Sequence, residues 1–211
     1  MTTPTVPAGG TQEKIILDLC GGTGSWSAPY REAGYDVRLV TLPDNDVRSF
    51  SPPPNVYGIL AAPPCTMFSF ARTKAKNPRN LKEGMECVRA CLDIIWKCNE
   101  VVQNTGKKTL PLKFWALENP ARGFLKDFLG RPVFVFNPYD FGDNYKKETA
   151  IWGNFNQPFP NDEPLRSRNL PKFDKLKTRE IHPERYGELN RTERRSITPA
   201  GFAKAFFEAN Q

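Results

Sequence analysis

The sequence feature that most constrains the fold is an apolar run that two consecutive prolines bring to an end. Residues 56–61 have the length and composition of a buried strand, and Ala62, Pro63, Pro64 and Cys65 follow directly. Proline has no N–H to donate to a sheet, so the hydrogen-bond ladder cannot continue through this dipeptide. The sequence therefore predicts that Cys65 lies on a stiff turn at the carboxyl end of a strand, where open α/β sheets bind ligands.

A second strand is predicted to end in the same way, with polar side chains at its carboxyl end. Residues 114–117 are apolar, and Glu118, Asn119 and Pro120 follow them. A thiol and a carboxyl group at one edge of a sheet can combine nucleophilic attack with protonation of a substrate. This pairing of Cys65 with Glu118 points to an enzyme.

Apolar runs and helical patterns alternate along the chain, which predicts an α/β fold with a doubly wound, mostly parallel sheet. Strands are predicted at Lys14–Leu19, Asp36–Val40, Val56–Ala61, Lys113–Leu117, Val133–Phe136 and Glu148–Trp152. The longest helical pattern covers Leu81–Asn104, and shorter helices are predicted up to Ala33, over Phe124–Leu129 and over Pro199–Ala209.

Length and cysteine usage narrow the class further. A chain of 211 residues suits one domain, and residues 1–13 are expected to form a flexible leader. No apolar run approaches the roughly 20 residues that span a bilayer, so we expect no membrane association. The five cysteines have no paired secretory spacing, which favours reduced thiols and a cytoplasmic protein. We interpret Cys87, Cys91 and Cys98 as packed thiols rather than metal ligands, and predict no metal.

The charge distribution indicates a polyanionic partner. The net charge is +7, and residues 72–82 contain five cationic side chains and no acidic one. Because this basic stretch comes shortly after Cys65, it is placed to contact phosphates beside the predicted nucleophile. A second stretch, residues 166–195, mixes basic with acidic side chains, and there phosphate contact and a plain solvated loop stay equally open.

A glycine-rich loop closes the first predicted strand. Residues 18–24 read Asp-Leu-Cys-Gly-Gly-Thr-Gly and lead into a predicted helix. Glycine lets a backbone turn tightly and approach a ligand, and a helix start exposes free N–H groups. The loop is neither a P-loop nor the dinucleotide fingerprint, so by itself it is also compatible with a plain strand-to-helix turn.

Taken together and in this order, the three motifs resemble those of the cytosine-5 DNA methyltransferases. Residues 18–24 are similar to the S-adenosylmethionine loop of that family, with Cys20 where an aromatic residue is more usual. Residues 62–69 resemble its nucleophile motif, and Leu117-Glu118-Asn119-Pro120 resembles its Glu-Asn-Val motif. The resemblance covers residues 14–153 and implies a Rossmann-like, S-adenosylmethionine-dependent methyltransferase fold.

The resemblance also implies a role for each site residue. Cys65 would add to carbon 6 of a flipped cytosine, Glu118 would bind the base, and carbon 5 would receive the methyl group. Residues implied to bind S-adenosylmethionine are Asp18, Cys20, Gly21, Gly22, Gly24, Ser25, Trp26, Asp46, Val47 and Pro63. Residues expected to bind DNA, with a duplex favoured, are Ser69, Arg72, Lys74, Lys76, Arg79, Arg122, Lys146 and Lys147.

The chain departs from the family pattern in ways that suggest a compact member. The family's acidic residue for the ribose is missing or displaced to Asp44, and the strand that supports the flipped base is absent. We expect residues 14–153 to form the catalytic core, 154–195 a reduced target recognition region, and 196–211 a helix that returns to the core. A partner protein could then supply specificity, and so small an enzyme would suit a phage gene expressed in a bacterial host.

Two other functions stay open on the sequence. The same chemistry could act on RNA or on a free nucleotide, because the short recognition region weakens the argument for duplex DNA. A non-catalytic module that binds the cofactor or a nucleic acid is the third hypothesis. The presence of both Cys65 and Glu118 argues against that module, since binding alone needs neither a nucleophile nor an acid.

Overall fold

A computed structural model describes residues 14–73, 75–104, 112–161, 169–173, 189 and 191–211. The strands are β1 (Ile15–Leu19), β2 (Asp36–Val40), β3 (Val56–Ala61), β4 (Phe114–Pro120), β5 (Phe134–Phe136) and β6 (Thr149–Asn154). They form one six-stranded sheet in the order β2-β1-β3-β4-β6-β5. The predicted leader over residues 1–13, Lys74 and most of the predicted recognition region lie outside the described residues.

The sheet is mostly parallel, as predicted. Strand β1 pairs in parallel with β2 and β3, and β3 pairs in parallel with β4. Strand β6 is antiparallel to both of its neighbours, β4 and β5, so β5 has the direction of β4. All strands of the described sheet except β6 therefore share one direction, and their carboxyl ends lie at one edge.

Helices cover both faces of this sheet. They are α1 (Ala28–Glu32), α2 (Leu81–Asn104), α3 (Leu125–Leu129), α4 (Arg191–Ser196) and α5 (Ala200–Ala209), and a 3-10 helix spans Pro138–Phe141. Because side chains alternate along a strand, Leu17 packs in one core with α2, while Ile16 packs in a second core with α1 and α5. The sheet is thus doubly wound, and the predicted Rossmann-like α/β class is confirmed.

Aromatic side chains dominate the core beneath α1 and α5. Phe136 stacks on Phe202 with ring centroids 3.8 Å apart, and Trp26 contacts both Phe202 and Phe206. These contacts hold the C-terminal helix α5 against the start of the chain. They bring the segment that precedes α5 close to the glycine-rich loop.

The element boundaries differ from the predicted ones mainly in β4. This strand was expected to end at Leu117, but its pairing with β6 continues through Glu118↔Ile151 and Asn119↔Ala150 to Pro120↔Thr149. Antiparallel pairing with a distant strand extends β4, and the sequence of β4 alone carries no sign of it. Helix α4 was not predicted, because residues 191–196 show no clear apolar periodicity. None of the described helices is long and apolar enough to cross a membrane.

Candidate functional site

The glycine-rich loop has a backbone that requires glycine at several positions. Gly22 and Gly24 have φ values of +57° and +70°, and Cys20 adopts φ +56°. A Cβ atom on Gly21 would lie 2.3 Å from the carboxyl carbon of Asp18, so no other side chain fits there. The loop therefore folds back closely over Asp18, which lies at the carboxyl end of β1.

Three buried polar atoms in and next to this loop have no hydrogen-bond partner among the described residues. Asp18 is fully buried, and its Oδ2 accepts a hydrogen bond of 2.6 Å from the Ser27 hydroxyl. Its Oδ1, together with Thr23 Oγ1 and Trp26 Nε1, has no hydrogen-bond partner among the described residues. Such groups cost free energy unless something binds them, so the loop has the polar lining of a site for a small polar molecule.

Electrostatics supports the same interpretation of Asp18. Burial raises the pKa of this carboxyl from 3.8 to about 6, although the Ser27 hydrogen bond and the nearby Arg31 guanidinium lower it. A bound ammonium group would favour the charged form and lower the pKa again. The carboxyl is therefore suited to a ligand that carries an amine.

The turn that carries Cys65 is closed by backbone hydrogen bonds. The backbone N–H groups of Phe68 and Ser69 both donate to the Cys65 carbonyl, at 3.0 and 2.9 Å. Pro63 is buried, whereas Cys65 itself is half-buried. The thiol is thus held beyond the carboxyl end of β3 and remains partly accessible.

Two contacts join the end of β3 to the end of β4. The Asn119 side chain donates a hydrogen bond of 3.0 Å from Nδ2 to the Pro63 carbonyl. Further along, Ser69 and Gly123 form an isolated antiparallel bridge. Asn119 therefore contacts backbone rather than open space, and the turn after Cys65 is fastened to the loop after Glu118.

Cys65 and Glu118 interact electrostatically across this junction. Burial and the nearby Glu118 carboxyl raise the pKa of the Cys65 thiol, whereas Lys147 and Arg195 lower it. Burial also raises the pKa of Glu118, and again Lys147 opposes the shift. A thiol, a carboxyl group and two cations thus form one cluster, to which the chain contributes from β4, from α4 and from the segments after β3 and before β6.

The C-terminal segment connects this cluster to the glycine-rich loop. The Lys147 ammonium donates to the Ile197 carbonyl at 2.9 Å, and the Thr198 N–H donates to the Ser25 hydroxyl at 2.8 Å. A Cβ atom on Gly22 would lie 2.9 Å from the Ser196 hydroxyl oxygen. Residues 195–198 therefore lie against both the loop and the Cys65 cluster.

Asp46 and Val47 flank the glycine-rich loop without lining its interior. Asp46 forms a two-pronged ion pair with Arg48, and the charges of both residues act on the Cys20 thiol. Val47 is buried in the core beneath α2. Their role in cofactor binding stays a prediction, because Asp46 already has a cationic partner.

The predicted nucleic-acid contacts differ in how their side chains are used. Arg79 donates to the carbonyl oxygens of Met67 at 3.0 Å and Ser69 at 2.7 Å, so it braces the turn after Cys65. Arg122 pairs with Glu148 at 3.0 Å. The other predicted contacts differ in exposure: Lys76 is exposed, Arg72 is half-buried and Ser69 is buried. The backbone of Lys146 pairs with residues 171–173. Lys74 lies outside the described residues.

Sequence reasoning assigned no site role to Thr23 or Ser27. Arg195 belongs to a segment that was expected to return with the closing helix towards the cofactor, but a place beside Cys65 was not predicted for it. Ser27 contacts Asp18 through its hydroxyl group, and Thr23 lies in the glycine-rich loop with a buried, unpartnered hydroxyl group. Among the described residues, no group of three or more His, Cys, Asp or Glu side chains could hold a metal ion.

Comparisons with known proteins supply no argument for the function of this chain. No protein-family model and no curated protein matches this chain. Among solved structures, the Entamoeba histolytica methyltransferase EhMeth matches with 9% identity and a TM-score of 0.40, over 68% of this chain and 53% of that one. The chain thus spans about half the length of that structure, and its function has to be argued from its own site.

Proposed function

We propose that this protein transfers a methyl group from S-adenosylmethionine to carbon 5 of cytosine in DNA. The observation that carries the proposal is the cluster at one sheet edge, in which the Cys65 thiol and the Glu118 carboxyl interact beside Lys147 and Arg195. Carbon 5 of cytosine is a weak nucleophile, and a thiolate that adds to carbon 6 turns it into an enamine. This chemistry therefore needs a thiol and an acid that both reach the same cytosine ring.

Cys65 is the nucleophile in this proposal. Burial and Glu118 disfavour its thiolate, while Lys147 and Arg195 favour it, and both cations belong to the same cluster. Once the thiolate has formed, its electron pair makes the sulfur–carbon bond at carbon 6. The positive charge of the two side chains then offsets the negative charge that spreads over the ring.

Glu118 is the acid. Because its pKa is raised by burial, the carboxyl group can retain a proton and donate it to N3 of the base as the thiolate adds. Carbon 5 would then take the methyl group, with S-adenosylhomocysteine as the leaving group, and would lose its own proton to water. The sulfur–carbon bond breaks and its electron pair returns to Cys65. N3 returns its proton to Glu118, and the aromatic ring is restored.

The glycine-rich loop is proposed to hold S-adenosylmethionine, which supplies an electrophilic methyl group when it is bound. The unpartnered oxygen of Asp18 suits its ammonium group, and Thr23 Oγ1 and Trp26 Nε1 add two further polar contacts. The tight backbone at Gly21 brings the loop directly over the Asp18 carboxyl group. Residues 195–198 contact both this loop and the Cys65 cluster, which supports delivery from one site to the other.

The proposal is tested by methyl transfer from labelled S-adenosylmethionine to duplex DNA, single-stranded DNA, tRNA and dCMP in parallel. We expect label at carbon 5 of cytosine in DNA with the wild-type protein. Cys65→Ala should lower the rate by at least about a thousandfold, since it removes the nucleophile. Cys98→Ala, which removes a thiol from α2 far along the chain from the cluster, is the matched control and should keep the rate.

Each alternative predicts a different outcome of this assay. Label in tRNA or dCMP alone would move the substrate to RNA or a free nucleotide while retaining the chemistry. No transfer to any acceptor, although the cofactor binds, would contradict the proposal and favour a binding module. A rate unaffected by Cys65→Ala would exclude Cys65 as the nucleophile.

A further inference from the structure

Phe70 is an exposed aromatic residue in a turn that is otherwise firmly held. It follows Cys65 by five positions, and 45% of its surface is exposed. Its ring packs edge-on against Phe124, with centroids 4.8 Å apart and the planes at 78°. A half-exposed aromatic side chain therefore follows directly on the turn that carries the proposed nucleophile.

The backbone around Phe70 is held from both sides. The Phe70 N–H donates to the Arg122 carbonyl at 3.0 Å, and the Phe124 N–H donates to the Phe68 carbonyl at 3.1 Å. Arg79 braces the same turn through two carbonyl oxygens, and its guanidinium lies 5.4 Å from the centre of the Phe124 ring. Phe70 therefore points outward from a fixed position and needs little ordering when something binds to it.

Basic side chains are frequent in the chain segments that follow Phe70 and that pair with its turn. Residues 72–82 carry five basic side chains and no acidic one, and among them Lys76 and Lys82 are exposed. On the other side of the turn, Arg122 is exposed and already paired with Glu148, and Lys126 is exposed on α3. Positive charge around a rigid aromatic ring is the combination by which proteins bind unpaired nucleic-acid strands, since bases stack on the ring and phosphates meet the cations.

We propose that Phe70 stacks on an unpaired base next to the target cytosine, so that the substrate is a single-stranded or locally opened nucleic acid. The proposal rests on the proposed function for its target base. The Ser69 N–H lies 2.9 Å from the Cys65 carbonyl oxygen, and Phe70 is the next residue, so the backbone of Phe70 begins within about 7 Å of that of Cys65. A nucleotide that neighbours the target base on the same strand can therefore reach the ring.

The test uses Phe70→Ala, Phe70→Leu and Phe70→Trp, with Phe159→Ala as control. Leucine keeps apolar packing against Phe124 but has no π face, whereas tryptophan keeps both. Phe159 is 85% exposed and lies in a separate cavity with Phe134 and Ala209. Binding is measured by anisotropy of a short single-stranded DNA that carries 2-aminopurine beside the cytosine, and stacking is measured by quenching of the 2-aminopurine. Matched RNA, intact duplex and duplex with a mismatch at the neighbouring base form the other arms.

We expect Phe70→Ala and Phe70→Leu to weaken binding to single-stranded DNA about tenfold to a hundredfold and to abolish the quenching. Phe70→Trp and Phe159→Ala should retain both. Intact duplex should bind more weakly than mismatched duplex, and the RNA arm tells which kind of strand is preferred. Wild-type behaviour of Phe70→Leu would overturn the proposal, because it would reduce Phe70 to a packing residue.

The same variants separate this proposal from the proposed function. If the wild-type protein methylates cytosine but Phe70→Ala binds and quenches normally, the stacking proposal fails and the methyltransferase proposal stands. If binding of the single strand depends on Phe70 but no acceptor is methylated, the stacking site is supported and the proposed methyltransferase activity is contradicted.

Discussion

At the scale of single residues, two acidic side chains lie where burial disfavours their charged forms. Asp18 and Glu118 follow apolar positions on β1 and β4 and lie on the face of the sheet that α1 and α5 cover. Burial raises the pKa of both, because a charged carboxylate is poorly solvated there. Ionisation of either group lowers the free energy of unfolding. A bound ligand with a complementary group would offset that cost.

Asp18→Asn tests this cost directly. The pKa of Asp18 is raised from 3.8 in the unfolded chain to about 6 in the folded protein. Protonation of Asp18 therefore stabilises the folded state fully below pH 3.8, and this stabilisation is lost as the pH rises through about 6. Without cofactor, we expect Asp18→Asn to remove a pH-dependent loss of up to about 3 kcal/mol in the free energy of unfolding. The measurement is urea denaturation across this pH range.

Cofactor binding should change in the opposite direction. Asp18→Asn removes the negative charge proposed to meet an ammonium group, so calorimetry should show weaker binding of S-adenosylhomocysteine at neutral pH. Asp127→Asn, at an exposed carboxyl on α3, is the control for both measurements. An unchanged pH slope in Asp18→Asn would show that Asp18 is ionised in the folded protein at little cost.

At the scale of elements, the turn after Cys65 depends on Arg79. This residue was predicted to bind nucleic acid, and that role stays a prediction. Its two hydrogen bonds to Met67 and Ser69 indicate that it positions the turn between β3 and α2. A planar guanidinium can hold two carbonyl oxygens at once, and a lysine ammonium is poorly suited to that geometry.

Arg79→Lys distinguishes a positioning role from a phosphate-binding role. It retains the positive charge but loses the paired hydrogen bonds to the Met67 and Ser69 carbonyl oxygens. We expect kcat to fall about tenfold while KM for DNA changes little, and amide exchange to rise over residues 66–73. Lys76→Ala is the matched comparison, because Lys76 is exposed and its loss should weaken DNA binding and its salt dependence without affecting exchange. A rise in KM alone for Arg79→Lys would identify Arg79 as a phosphate contact.

Elements β3, β4 and α2 differ in how much of their extent could be predicted from the sequence. Strand β3 and helix α2 have the predicted bounds, because both depend on local apolar spacing and on clear end signals. The extension of β4 to Pro120 depends on β6, and the contact of Thr198 with Ser25 joins residues 173 positions apart. Such long-range pairings leave no periodic trace, so the place of Arg195 beside Cys65 could not have been predicted. The brace role of Arg79 depends on how one loop folds back on itself, which the sequence does not indicate either.

At the scale of the whole molecule, the fold brings three separate stretches of chain to one edge of the sheet. The glycine-rich loop follows β1, Cys65 follows β3, and Glu118 lies near the end of β4, all strands of the same direction. The aromatic core holds α5 in place, and residues 195–198 then contact both the loop and the cluster. The proposed chemistry therefore depends on the entire described sheet rather than on any one motif.

The most direct test of the central claim is covalent trapping on an oligonucleotide that contains 5-fluorocytosine at the target position. Fluorine at carbon 5 cannot leave as a proton, so the sulfur–carbon bond cannot break after methyl transfer. With S-adenosylmethionine present, we predict a denaturation-resistant complex whose modified peptide, found by mass spectrometry, carries the base on Cys65. The complex should be absent with Cys65→Ala and without the cofactor. Methylation of cytosine at carbon 5 with no adduct on Cys65, or an adduct on another residue, would contradict the account.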